Sequence, residues 1–108
     1  MKNLLTRPLI AAAIVLAANT ALADPQAGRL KAQLCATCHG PLGLALMPNT
    51  PNLAGQPEVY LTQQLKAYRS GKRVHEIMTL IAKPLTDDEI ADLAAWFSSL
   101  QVEVKEKP

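Results

Sequence analysis

Cys35-Ala36-Thr37-Cys38-His39 puts two thiols three positions apart and an imidazole directly after the second. That spacing suits covalent attachment of a c-type haem. The thiols add to the two vinyl groups on one porphyrin edge and form thioethers, and the histidine is brought under the iron as its proximal ligand. Other chemistries fit the same five residues less well. A thioredoxin-like redox pair needs a preceding strand and a βαβ pattern around it, whereas Ala27 to Leu34 reads as helix and β-branched runs are missing. Structural zinc needs four protein ligands, and beyond the motif the chain offers only the distant His75. A plain disulfide leaves His39 without a role, and so short a loop would staple little of the chain.

The second axial position decides what such an iron can do. With both positions filled by protein the centre passes electrons; with one open it binds gases or activates oxygen. Met78, Met47 and His75 are the candidates. Met78 lies 39 residues after His39, far enough to cross to the other haem face. Met47 follows His39 by eight residues and would have to double back sharply. His75 sits beside Lys72, Arg73 and Glu76 and reads more simply as a partly exposed polar residue. A lone methionine is ordinarily a core gap-filler, but the haem motif calls for a sixth ligand, and the spacing favours Met78.

The elements that must position these residues are all helical. Asp24-Pro25 is a cap followed by a first-turn proline and opens a helix leading to Cys35. From Gly40 to Gly55 a run of Gly and Pro argues for a long loop along one face and edge of the haem. Pro57 starts a helix carrying Tyr60, Leu61, Leu65 and Tyr68, which Gly71 stops. A short segment over 74–82 holds Met78 and ends at Pro84. Thr86-Asp87-Asp88-Glu89 is a capping box in which Thr86 caps and Glu89 reaches back, with Leu85 and Ile90 as the staple. The last helix then presents Ile90, Leu93, Ala94, Phe97 and Leu100 on one face, with Trp96 on its flank. The fold class is all-α: about four short helices and a long loop wrapped around one covalently bound haem.

Composition agrees with a cofactor at the centre. Aromatic residues make up only 4% of the 108, too few for the ring-rich core that ordinarily stabilises a small domain. A porphyrin supplies that missing apolar volume. The amino terminus is set apart from the domain. Lys2 and Arg7 flank or precede an apolar run over 9–18, and Ala21-Leu22-Ala23 follows, the pattern of a secretory signal peptide cleaved after Ala23. The run is shorter than the ~20 residues of a membrane span, and no later segment is long and apolar enough to be transmembrane. The expected organisation is a signal peptide over 1–23, a domain over 24–100 and a polar tail over 101–108. The mature chain would carry nine basic and nine acidic residues, so nucleic-acid binding has no electrostatic support. Lys66, Arg69, Lys72 and Arg73 form a local basic cluster able to steer an acidic partner, although such a run is more often a solvated helix face. Arg73 and Gln56 are further candidates for meeting a haem propionate.

Ala27-Gly28-Arg29-Leu30-Lys31, the Cys35–Gly40 motif, Pro51-Asn52-Leu53-Ala54-Gly55-Gln56, Tyr68-Arg69-Ser70-Gly71-Lys72-Arg73, Met78-Thr79 and Leu85–Phe97 together resemble the small bacterial class I cytochromes c. They resemble especially one half of the diheme periplasmic cytochromes. The resemblance implies the cytochrome c fold, one haem c, Met78 as sixth ligand, and a Pro51 carbonyl that accepts the proximal imidazole N–H. It also implies a close crossing of the first and last helices at Gly28 and Trp96, where the family usually has Tyr or Phe. The implied function is a periplasmic monohaem carrier of single electrons between redox proteins, not an enzyme. The alternatives are a cytochrome subunit of a larger dehydrogenase or oxidase and, if Met78 does not bind iron, a gas sensor or small peroxidase.

Overall fold

A computed structural model of the chain describes residues 10–17 and 22–108. Most of the expected export signal lies outside the described residues; the part that is described, 10–17, has no regular structure and is exposed. Five α-helices follow: α1 (Pro25–Lys31), α2 (Ala36–His39), α3 (Glu58–Ser70), α4 (Glu76–Ala82) and α5 (Asp87–Ser99). Among the described residues there is no strand, and no helix is long and apolar enough to cross a membrane.

The expected first helix is broken in two. A 3₁₀ turn at Ala32–Leu34 separates α1 from α2, and the tightened turn re-aims the chain just before the two cysteines. Asp24 caps α1 through its carboxylate, which accepts from the Gln26 N–H at 2.8 Å, with Pro25 in the first turn. Gly71 ends α3 in the left-handed region at φ 83°, where a side chain is disfavoured. Residues 40–57 between α2 and α3 contain no helix.

The core gathers on α5, whose Ile90 and Leu93 are 0% and 2% exposed. Each such burial is worth about 1.5–3 kcal/mol relative to exposure. Leu61 and Tyr68 of α3, Ala82 of α4, Leu85 and Ala32 complete the cluster with Trp96 and Phe97. α1 crosses α5 backbone against backbone. A Cβ built on Gly28 would lie 1.9 Å from the Asp92 carbonyl oxygen and 2.9 Å from Trp96 Cβ, so only glycine fits there. Lys31 pairs with Glu89 at 2.7 Å across the same crossing.

That ion pair corrects one expectation. Thr86 caps α5 as foreseen, its hydroxyl accepting from the Glu89 N–H at 3.1 Å. The Glu89 carboxylate does not reach back to Thr86, because it is engaged by Lys31 of the neighbouring helix.

Candidate functional site

α2, α3, α4, α5 and the long loop enclose a cavity of about 530 Å³, within the roughly 300–1,000 Å³ range of cofactor and ligand sites. Cys35, Cys38, His39, Pro51 and Met78 all line it, so one cavity brings together the five residues expected to hold a haem. Its floor is apolar, built from Leu61, Leu65, Leu93, Ala94 and Phe97. Among the described residues no aspartate or glutamate lines it, whereas Lys31 and Arg73 do.

His39 is buried, with 8% of its surface exposed. Its Nδ1 lies 2.7 Å from the Pro51 carbonyl oxygen. A carbonyl can only accept, so Nδ1 carries a proton, and in the neutral ring the lone pair is on Nε2. This is the tautomer a metal-binding imidazole needs, with the second nitrogen's partner fixing the ring. The backbone around it is equally constrained. Gly40 follows at φ 82°, and a Cβ there would meet the Leu44 carbonyl at 1.9 Å. The Leu46 N–H donates to the Cys38 carbonyl at 3.1 Å, and the Leu53 N–H donates to the Gly43 carbonyl at 2.7 Å. Asn52 accepts from the Ala45 N–H at 2.7 Å. These bonds tie down the loop that delivers Pro51.

Cys35 and Cys38 are free thiols, both half-buried. Burial pushes the Cys35 thiol above its ordinary value, with Lys31 pulling weakly the other way. Among the described residues no three or more His, Cys, Asp or Glu side chains are grouped to hold a metal ion by themselves. The donor set fits an iron that arrives inside a porphyrin: two thiols for an edge, one imidazole nitrogen, one thioether and apolar walls.

Met78 is half-buried on α4 and packs against the core. Met47 also lines the cavity, but from the loop and 48% exposed. His75 is exposed, as expected of a surface polar residue, and it has a structural task as well. It is the N-cap of α4, its Nδ1 accepting from the Ile77 N–H at 3.2 Å and the Met78 N–H at 3.3 Å. Histidine is an unusual cap, so sequence preference gave no signal of it.

The basic cluster divides. Arg69 is committed to the fold, donating to the Leu85 carbonyl at 3.0 Å and pairing with Asp87. Arg73 lies 4.6 Å from the Tyr68 ring centroid and donates to Gln64 at 2.8 Å, at the rim of the cavity. Gln56 lines the cavity too, and its amide donates to the Asn52 carbonyl at 3.4 Å. Lys66 and Lys72 have no ion pair among the described residues.

Comparison with known proteins matches residues 26–101 to the cytochrome c family. The chain is 46% identical to cytochrome c4 of Thiocapsa roseopersicina over 84 residues, covering 77% of this chain and 43% of that protein. It is also 46% identical to cytochrome c-554(548) of Halomonas halodenitrificans over 79 residues, covering 70% of this chain and 95% of that one. Among solved structures, reduced recombinant cytochrome c4 from Pseudomonas stutzeri superposes with a TM-score of 0.71 at 38% identity, over 76% of this chain and 48% of that one. Thiosulfate dehydrogenase from Marichromatium purpuratum gives 0.68 at 35% identity, over 77% and 21%. The chain thus spans about half the length of the cytochromes c4 it matches.

Proposed function

The chain belongs to the cytochrome c family, and on that premise we propose that it is a periplasmic carrier of single electrons between redox proteins, not an enzyme. Haem c, when bound, supplies the one-electron Fe(III)/Fe(II) couple. Cys35 and Cys38 would hold the porphyrin through thioethers, and His39 Nε2 and the Met78 thioether would hold its iron. Pro51 keeps the imidazole turned and protonated at Nδ1. The apolar floor from α3 and α5 keeps water from the iron, which lets the protein change oxidation state with little rearrangement. A methionine ligand raises the potential. Residues 1–23 are the export signal, cleaved after Ala23, and 101–108 are a polar tail.

The observation that carries this reading is the His39–Pro51 bond of 2.7 Å inside a cavity that Cys35, Cys38 and Met78 also line. The test is the optical spectrum of the purified, exported protein. A weak far-red ferric band from methionine–iron bonding and no carbon monoxide binding by the ferrous form are the expected results. Ready carbon monoxide binding with no such band would overturn Met78 ligation and favour a gas sensor or small peroxidase.

The likeness to thiosulfate dehydrogenase supports a second reading, a cytochrome unit in a larger enzyme complex. A permanent partner co-purifying in fixed ratio from the native cell would establish it; a monodisperse monomer would favour the free carrier.

A further inference from the structure

The backbone nitrogen of Asp24 lies 2.7 Å from Asp92 Oδ1, a contact across 68 positions of sequence. The proposed export cleavage makes this nitrogen the new amino terminus. Before cleavage it is a neutral amide with one proton. Hydrolysis of the Ala23–Asp24 bond consumes one water: Ala23 leaves with a carboxylate, and Asp24 keeps an ammonium. We propose that removal of the signal peptide creates an ion pair between this ammonium and Asp92, and that processing thereby locks the first helix onto the last. The inference rests on cleavage after Ala23.

The setting favours the pair. The Asp24 side chain is already engaged as the α1 cap, accepting from the Gln26 N–H at 2.8 Å, so Asp92 is the carboxylate positioned for the nitrogen. Asp92 is half-buried, and its own carbonyl is packed against Gly28. The two backbones are therefore in contact, and the distance does not depend on a long side chain holding one rotamer. The ammonium also stands at the positive end of α1, where a lone cation is unfavourable and a facing carboxylate relieves it. A hydrogen bond with both partners charged is roughly twice as strong as a neutral one. With Lys31–Glu89 at the other end of the crossing, α1 is then held to α5 by charge at both ends.

The test uses the exported, haem-loaded protein. Its intact mass reports the first residue. Guanidinium unfolding is then compared for the processed chain and its Asp92→Asn variant, and for both carrying a Gly-Ser insertion between Ala23 and Asp24, retained after processing as checked by mass. Asparagine still accepts the hydrogen bond, so the substitution removes only the charge. Asp92→Asn should raise the unfolding equilibrium constant about fivefold in the processed chain, the upper end for a partly exposed pair. It should have little effect in the inserted one. A mass beginning at Asp24 with equal effects, or none, in the two backgrounds would overturn the ion pair and leave the cleavage reading standing. A mass beginning elsewhere would overturn that cleavage reading and the ion pair with it.

Discussion

The His39 Nδ1 proton has one acceptor, the Pro51 carbonyl. Of the three candidate sixth ligands that line the cavity, Met78, Met47 and His75, His75 already caps α4, which leaves the proposed ligand between two methionines. The two differ in what holds them. Met78 rides on a helix packed into the core, whereas Met47 is half-exposed in the loop. Met78→Ala should abolish the far-red ferric band and let the ferrous protein bind carbon monoxide, while Met47→Ala should leave both properties as in the parent. His75 holds the first turn of the helix that carries Met78. Its replacement by Ala should cost about 1 kcal/mol in chemical unfolding, with Asn, a strong cap, restoring most of it. Cys35, Cys38 and His39 were legible because a local spacing encodes their chemistry. The capping task of His75 was not, since it depends on how α4 begins and no residue preference marks it.

At the scale of helices, the sequence showed where elements start and stop better than what their side chains touch. Asp24-Pro25, Pro57, Gly71 and Thr86 mark real boundaries, because caps and breakers act through the nearest few residues. The 3₁₀ turn at Ala32–Leu34 carries no Gly or Pro and was invisible in the sequence. Glu89 gives up its expected local role for Lys31, and Arg69 is taken up by Leu85 and Asp87, contacts across the fold that no local pattern encodes. The crossing at Gly28 was foreseen only by resemblance, and its geometry makes a sharp prediction. Gly28→Ala puts a methyl group onto the Asp92 carbonyl, and forcing the helices apart should destabilise the fold by about 2–3 kcal/mol. A denaturant titration of the haem-loaded variant measures this directly.

At the scale of the whole molecule the cavity dominates. With the cavity of about 530 Å³ unfilled, its apolar walls lose the contacts that a bound group would make with them. The double variant Cys35→Ala, Cys38→Ala should therefore lose cooperative thermal unfolding and most of its helical circular dichroism. Acid acts on a different part of the molecule. The Arg69 guanidinium, by hydrogen bond and by charge, holds the Asp87 carboxyl below its usual 3.8, with help from Lys66. A depressed carboxylate pKa stabilises the fold above its unfolded value, and that contribution disappears as pH falls through the folded one. The stability difference between the parent and Asp87→Asn should accordingly be present at neutral pH and vanish as pH drops below about 4. The crossing of α1 and α5 has a consequence in time as well. Its partners stand 58 and 68 positions apart, Lys31 with Glu89 and Asp24 with Asp92, and such distant closures are slow. In a chain delivered amino end first, α1 lacks its packing partner until α5 has emerged. Until then the thiols of Cys35 and Cys38 stand outside a closed fold, within reach of the haem attachment proposed for them.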